Sequence, residues 1–270
     1  MDIRLPARNN RGHKGTFGTV AIVGGSISSR SVMLGSPVFA AQAAIRSGAG
    51  LITFVGPKEL LTHLIRLVPQ AVGVIPSDGF SDISGKWQSI VIGPGLGVNR
   101  DNIKLMKKVL ALNKPTVIDA DALNTLAKYP ELFKLIHDKC VLTPHPKEFQ
   151  RLAEAVSVKD AGNLVERLGC TLILKSHNTE IYSPGEKWVE KGENPALATG
   201  GTGDVLAGLV GGLMAQYYPN QLSVFDCACT AVAIHSKAAK QWRKEYGSAG
   251  LLINELLDFV PGVMQKMRPS

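Results

Sequence analysis

A glycine-rich segment in the last third of the chain places one carboxylate at the start of an apolar stretch. It reads Ala198-Thr-Gly-Gly-Thr-Gly-Asp-Val-Leu-Ala207, and the apolar pattern after it predicts a helix to about Tyr217. Glycines let backbone N–H groups approach a ligand, and a helix N-terminus carries partial positive charge, so the amides of Gly200 to Gly203 could hold phosphate oxygens. The residue types fit equally well with Thr202 or Asp204 acting only as a helix cap.

The carboxylate of Asp204 is unexpected in a site that only holds phosphate. Beside a polyphosphate it is repelled unless it carries a proton, binds a metal ion or accepts a proton from a substrate hydroxyl. An aspartate at this place therefore predicts a general base.

A second segment, Thr143-Pro-His-Pro-Lys-Glu148, follows a predicted strand. The prolines on both sides of His145 restrict the backbone, so that the imidazole projects from a stiff turn. In a functional interpretation His145 contacts a substrate and Glu148 holds a metal ion or water indirectly. In a structural one His145 is a turn residue and Glu148 is an acid favoured in the first turn of a helix. The sequence leaves both open.

Three further polar segments follow predicted strands. Gly93-Pro-Gly-Leu-Gly97 is neither a P-loop nor the dinucleotide fingerprint, and it predicts a glycine-rich connection that a ligand could approach. Asp119 could serve a magnesium shell, although a structural role is favoured, and Asp121 is predicted to be an N-cap. Lys175 to Thr179 places hydrogen-bonding groups where a nucleotide could meet them. Four histidines have no partner in the sequence and are interpreted as surface or core residues: His13, His63, His137 and His235.

The elements that must position these residues are short apolar strands alternating with helices. Strands are predicted at 20–23, 51–55, 90–92, 116–119, 141–143 and 171–175, and helices at 37–47, 102–112, 122–128 and, as a pair, 147–168. Continuous apolar strands between helices predict an α/β fold with a mostly parallel sheet covered on both faces. A hairpin of 180–182 with 187–189 follows, and residues 204–267 are predicted to be nearly all helical. Ligands of such sheets lie beyond the carboxyl ends of the strands.

Composition limits the class of protein. The 270 residues are 45% hydrophobic and 19% charged with a mean hydropathy of +0.09, which excludes a disordered or fibrous chain. The net charge of +8 favours phosphate-bearing partners. Nucleic acid is disfavoured because the basic residues are dispersed and no stripe of basic residues interleaved with aromatic ones appears.

Four cysteines without a CxxC pair indicate neither zinc nor a disulfide framework and fit a cytoplasmic location. Neither a signal peptide nor a membrane span is predicted.

Taken in order, the segments resemble the nucleotide-dependent NAD(P)H-hydrate dehydratases, a family with the ribokinase-like fold. The resemblance runs from about Lys14 to Leu257. It is carried by KGTFGTVAIVGGS at 14–26, AQAAIRSGAG at 41–50, IGPGLG at 92–97, DADALN at 119–124, LTPHPKEF at 142–149 and ATGGTGDVLAG at 198–208. Vitamin kinases of the same fold are the alternative. Their corresponding loop commonly reads TPN, and several carry Cys in place of the Asp of GTGD, so His145 and Asp204 favour the dehydratase.

The resemblance implies a repair reaction. NADH or NADPH hydrated at C6 of the nicotinamide ring is returned to the normal cofactor while ADP, or less usually ATP, is consumed. Phosphorylation turns the C6 hydroxyl into a leaving group, and the ring nitrogen then expels phosphate. Asp204 is the expected base, and the amides of the glycine loop with Mg²⁺ stabilise charge on the transferring group.

The resemblance also assigns site residues. Ser36, Gly97, His145 and Asp204 are expected to contact the hydrate. The adenine nucleotide is expected at Lys175, Ser176, His177, Asn178, Thr179 and Gly203, and the anion hole at Gly201, Thr202 and Gly203. No residue is expected to bind Mg²⁺ directly, with Glu148 and Asp119 as possible indirect ligands. Two residues depart from the family pattern, since Ser36 replaces an alanine and Ser176 a glycine.

The resemblance implies partners as well. We expect one ribokinase-like domain over residues 1–270 without an attached epimerase domain, a separate epimerase acting on the same metabolite, and a homo-oligomer, by resemblance a tetramer.

Overall fold

Nine strands form one sheet in the computed structural model, which describes residues 3–29, 31–76, 84–192 and 194–269. The strands of this sheet are β1 (Thr19–Val23), β4 (Leu51–Val55), β5 (Ala71–Val74), β6 (Ser89–Ile92), β7 (Thr116–Ile118), β8 (Cys140–Leu142), β9 (Thr171–Leu174), β10 (Thr179–Ser183) and β11 (Glu186–Glu190). Their order is β11-β10-β9-β8-β7-β6-β1-β4-β5. All neighbouring pairs are parallel except β9 with β10 and β10 with β11. A separate hairpin pairs β2 (Ser26–Ile27) with β3 (Val32–Met33).

Helices cover both faces of the sheet. The described ranges contain α1 (Gly35–Arg46), α2 (Lys58–Leu67), α3 (Arg100–Ala111), α4 (Asp121–Lys128), α5 (Pro146–Ala155), α6 (Ala161–Leu168), α7 (Thr202–Tyr217), α8 (Val224–Tyr246) and α9 (Ile253–Lys266), with short 3₁₀ helices at Pro130–Leu135 and Pro195–Leu197. Buried residues of α1, α2, α7, α8 and α9 share one core, and those of α3 to α6 share the other. None of the described helices has the length and apolar character needed to cross a membrane.

The buried strands explain why the sequence shows continuous apolar runs. Successive side chains of a strand point to opposite faces. In β1, Val20 and Ile22 belong to one core while Ala21 and Val23 belong to the other, and all four are fully buried. A strand with a core on each side needs apolar residues at every position. The predicted α/β class, with a mostly parallel sheet between helical layers, is confirmed.

The structure adds elements that the sequence analysis did not identify. These are α2, β5 and the β2–β3 hairpin. Most predicted elements are found within one or two residues of their predicted bounds, whereas the predicted hairpin extends further, to 179–183 and 186–190. Cys227 and Cys229 are core residues, since both are fully buried in α8.

Small residues let α1 and α7 pack closely on the same face of the sheet. A Cβ at Gly208 of α7 would lie 2.1 Å from the carbonyl oxygen of Ala40 in α1, far inside van der Waals contact. The glycine is therefore required by the distance between the two backbones. This contact fixes the position of α7, whose first turn carries Asp204.

Gly208→Ala is expected to destabilise the protein by about 1–3 kcal/mol, because one added methyl group forces the two helices apart. Urea denaturation followed by circular dichroism measures the change. Gly262→Ala in α9 is the matched control, since nothing lies within 4 Å of a Cβ at that position. Alanine should leave stability there unchanged or higher, as its helix propensity exceeds that of glycine. Equal losses in both variants would contradict the close-packing explanation.

Candidate active site

Three adjacent strands deliver the polar residues at the centre of the candidate site. Asp119 follows β7, Thr143 follows β8 and Lys175 follows β9, so all three lie at the carboxyl edge of the sheet. The Asp119 carboxylate is 2% exposed, and its Oδ1 accepts hydrogen bonds from Thr143 Oγ1 at 2.7 Å and Lys175 Nζ at 2.8 Å. Asp119 therefore holds the Lys175 ammonium group in place.

Asp204 lies in the first turn of α7, close to this pair. Burial raises the pKa of Asp204 to about 7, and the neighbouring Asp119 carboxylate adds to the rise. A hydrogen bond from the Ser36 side chain and the charge of Lys175 act in the opposite direction. A carboxylate whose pKa lies near neutral pH can both take up and release a proton, as a general base requires.

The start of α7 differs from the predicted helix cap. Gly201 is the N-cap, with a left-handed φ of 100° that favours glycine, and neither Thr202 nor Asp204 caps the helix. The Thr202 hydroxyl instead donates to the carbonyl oxygens of Leu197 and Thr199. The Thr202 amide also donates to Thr199, at 3.4 Å. The capping alternative is thus wrong, and one of the expected anion-hole amides is used by a turn.

The Gly97 loop is tied to α4 by Asp121. The Gly97 amide donates to Asp121 Oδ2 at 2.8 Å, and Asn102 Nδ2 donates to the Gly97 carbonyl oxygen at 3.1 Å. Asp121 is the first residue of α4 and Ala120, at a positive φ of 47°, is its N-cap. The predicted N-cap role of Asp121 is therefore wrong, because the turn at Ala120 directs this carboxylate to the Gly97 loop.

His145 and Glu148 form a reciprocal cap at the start of α5. His145 Nδ1 accepts hydrogen bonds from the amides of Lys147 and Glu148, while Glu148 Oε2 accepts one from the His145 amide at 2.9 Å. The Glu148 side chain is 7% exposed and the His145 side chain 47%. The structural interpretation therefore holds for both residues. The exposed His145 ring remains available for contact at the same sheet edge.

A cavity of about 600 Å³ extends from the start of α7 along the loop after β9. It is bordered by Lys175, Ser176, His177, Thr179, Asn194, Pro195, Leu197, Ala198, Thr202, Gly203, Leu206 and His235. Its volume is typical of a small-molecule site. Of the predicted nucleotide residues only Asn178 does not border it. The Ser176 hydroxyl donates back to the Asn178 carbonyl oxygen, so it bonds within its own loop.

Sequence reasoning assigned no site role to six of the bordering residues. Asn194, Pro195, Leu197 and Ala198 precede the glycine loop, whereas Leu206 and His235 lie on α7 and α8. His235 was interpreted only as a surface or core histidine. No motif lies near His235 in the sequence, so the sequence gave no signal for it. The residue reaches the cavity only because α8 packs there in the folded protein.

A resident metal site does not fit the described residues. Among them no group of three His, Cys, Asp or Glu side chains could hold a metal ion. Asp119 Oδ1 already has two donors, and one Glu148 oxygen caps α5. Mg²⁺ commonly uses few protein ligands together with substrate phosphates.

The parallel sheet, with its site at the strand ends beside a glycine-rich helix start, defines a ribokinase-like protein. A ribokinase-like superfamily protein from Enterococcus faecalis superposes with a TM-score of 0.85 at 30% identity, covering 98% of this chain and 93% of that chain. The profile of the NAD(P)H-hydrate dehydratase family matches residues 20–261. The chain belongs to this family, and the resemblance found in the sequence is confirmed.

Several relatives carry the family name. An ADP-dependent (S)-NAD(P)H-hydrate dehydratase of Neisseria meningitidis is 36% identical over 266 residues, covering 93% of this chain and 86% of the relative. The ADP/ATP-dependent NAD(P)H-hydrate dehydratase from Bacillus subtilis, co-crystallised with ATP/Mg²⁺, superposes with a TM-score of 0.78 at 27% identity, covering 98% of this chain and 95% of that one. The chain spans about half the length of the bifunctional NAD(P)H-hydrate repair enzymes that it also matches.

Proposed function

We propose that this protein dehydrates (6S)-NADHX and (6S)-NADPHX, the hydrates of NADH and NADPH, with consumption of ADP or ATP. The observation that carries the proposal is the partly buried Asp204 carboxylate, with a pKa of about 7, at the start of α7 beside Lys175 and the cavity. The names of the relatives favour this function over the vitamin-precursor kinase considered from the sequence.

In the proposed reaction Asp204 accepts the proton of the C6 hydroxyl. The oxygen forms a bond to the terminal phosphorus of the nucleotide, and the bond from that phosphorus to its bridging oxygen breaks. With ADP the released product is AMP. The nitrogen lone pair of the ring then expels phosphate from C6, and loss of a proton from C5 restores the double bond. Each turnover therefore converts one hydrate and one ADP into NAD(P)H, AMP and phosphate.

The residues of this chain supply binding and charge. Lys175 and the Gly203 amide lie where the phosphates would meet the start of α7, and both are proposed to bind the nucleotide. Ser36, Gly97 and His145 are proposed to contact the hydrate. Support comes from the Ser36 hydrogen bond to Asp204 and from the position of the other two at the same sheet edge. The nucleotide is proposed to enter as its Mg²⁺ complex.

The test incubates the protein with Mg²⁺, NADH hydrate or NADPH hydrate, and either ADP or ATP. Recovery of absorbance at the reduced-nicotinamide band, with one AMP formed per NADH when ADP is used, is the expected result. No recovery with either nucleotide would overturn the proposal. A stable phosphorylated product formed from a vitamin precursor, without cofactor repair, would support the kinase instead.

The rate of repair is expected to fall on the acid side, with a midpoint near pH 7. Asp204 acts as a base only when it is deprotonated, and its raised pKa means that the proton is retained until about pH 7. The rate should therefore be close to its maximum at pH 8 and about tenfold lower at pH 6. Single-turnover rates between pH 5.5 and 8.5 measure the profile. A midpoint near pH 4 would show that Asp204 titrates like an exposed carboxyl group.

Three features of the setting are part of the proposal. We propose a cytoplasmic location, a homotetramer and a separate epimerase that acts on the same metabolite. The four buried, unpaired cysteines agree with a reducing compartment.

A further inference from the structure

The two ends of the cavity differ in chemical character. At the α7 end, Lys175 Nζ lies 3.4 Å from the position that a Cβ of Gly203 would occupy, beside a helix N-terminus. The other end is walled by Leu197 and Leu206, and a smaller cavity of about 90 Å³ continues from it past Val232. Phosphates fit the cationic end. A flat aromatic base fits against the leucines, where Asn194 and His235 also border the cavity.

Two nitrogens beside these leucines have no hydrogen-bond partner among the described residues. They are His235 Nε2 and Asn194 Nδ2, and both residues border both cavities. His235 is only 9% exposed. A buried polar atom without a partner costs about 1–3 kcal/mol, and native proteins contain few of them. Two at one cavity indicate a ligand that supplies the missing partners.

The hydrogen-bonding character of each nitrogen follows from its surroundings. Burial lowers the pKa of His235 to about 4, so the imidazole is neutral. The Thr202 backbone carbonyl interacts with the ring, and because Nε2 has no partner, Nδ1 is the nitrogen that donates to it. His235 Nε2 is therefore an acceptor. Asn194 Oδ1 accepts from the Ala196 amide at 3.2 Å, which leaves Nδ2 as a donor.

We propose that Asn194 and His235 recognise the base of the nucleotide and select a 6-aminopurine over a 6-oxopurine. The inference rests on the placement of the nucleotide in this cavity under the proposed function. In a 6-aminopurine the exocyclic amine donates to His235 Nε2 while a neighbouring ring nitrogen accepts from Asn194 Nδ2. A 6-oxopurine presents an oxygen to the lone pair of His235 and an N1–H to the amide of Asn194, so both contacts become unfavourable.

The experiment compares ADP with inosine diphosphate, in which the C6 amine is replaced by an oxygen and N1 carries a proton. Isothermal titration calorimetry on the full chain at pH 7.5 is expected to give an affinity about 30-fold higher for ADP. In His235→Leu, which removes the acceptor, and in Asn194→Asp, which keeps the acceptor for the Ala196 amide but removes the donor, this ratio should fall at least tenfold. The fall should come mainly from weaker ADP binding.

His137→Leu is the matched control. Within the described part of the chain, His137 Nε2 is likewise buried without a partner, but His137 lies before β8 at the opposite end of the sheet, so the ratio should not change. Equal affinity of the native protein for the two nucleotides, or an equal loss of both in the His235 and Asn194 variants, would overturn the inference even if repair is observed. Selective ADP binding that both variants abolish, in a protein without repair activity, would overturn the proposed function and leave base recognition standing.

Discussion

Asp204→Asn is expected to reduce the rate of hydrate repair by about 10²–10⁴-fold, the usual contribution of a general base. The asparagine has nearly the same shape but cannot accept the hydroxyl proton. Nucleotide affinity should remain within a few-fold of the native value, because the amides at the start of α7 and Lys175 are unchanged. Single-turnover repair and calorimetric titration with ADP separate the two effects. Turnover that survives the substitution would show that another group is the base.

Stability provides the control for this variant. A carboxyl group with a raised pKa makes the folded state less stable as pH rises from about 4 towards 7, since the folded protein holds the proton more tightly than the unfolded chain does. Asparagine carries no such penalty. Asp204→Asn should therefore melt at a higher temperature than the native protein at pH 8 and at a similar temperature at pH 4. This difference would show that Asp204 lowers stability at the pH where it is active.

Lys175→Met is expected to weaken nucleotide binding by about 10- to 100-fold, the effect of removing one charge-assisted hydrogen bond of roughly 1.5–3 kcal/mol. The variant should also lose stability, since removing one partner of a buried ion pair leaves the charge of Asp119 without compensation. The midpoint at which the repair rate falls on the acid side should move to higher pH, because Lys175 lowers the pKa of Asp204. Calorimetry with ADP, urea denaturation and the pH profile measure the three changes.

The double variant Asp119→Asn, Lys175→Met isolates the charge that is proposed to contact the nucleotide. Removing both members of the pair should restore most of the lost stability while ADP binding stays weak. Lys114→Met is the matched control, since this part-buried lysine donates to the Trp87 carbonyl oxygen on the amino side of β7, far from the cavity. Equal losses of ADP affinity at Lys114 and Lys175 would contradict a direct role for the Lys175 ammonium group.

The fold could be predicted largely from local pattern. The doubly buried strands are almost continuously apolar, and each is followed by a glycine or polar residue. The residues at the carboxyl edge of the sheet could therefore be identified before the strand order was known. The short strand β5, with a glycine and an exposed Val72, carries a weaker signal and was missed. The amphipathic α2 was also missed, although Leu60, Leu61 and Leu64 form a readable buried face.

The candidate site was predictable only where chemistry is encoded by neighbouring residues. The carboxylate of Asp204 beside glycines at a helix start is such a local signal. The bond between Asp119 and Lys175 joins residues 56 positions apart, and that distance in sequence hides it. His235 lies in an ordinary apolar helix after the glycine loop, and no local pattern in the sequence connects the two. Asp121 was assigned to a cap because local rules favour one, but a tertiary contact with the Gly97 amide determines its position.

The candidate active site combines residues that lie far apart in the chain. Ser36 comes from α1, Asp119 and Lys175 follow β7 and β9, and Asp204 comes from α7. During synthesis the nucleotide site cannot form until α7 has docked against α1, so a nascent or cleaved chain lacks it. Under the proposed function, nucleotide at 100 times its dissociation constant stabilises the folded protein by about 2.7 kcal/mol. The cellular lifetime of this repair protein would then rise and fall with the nucleotide supply that drives its reaction.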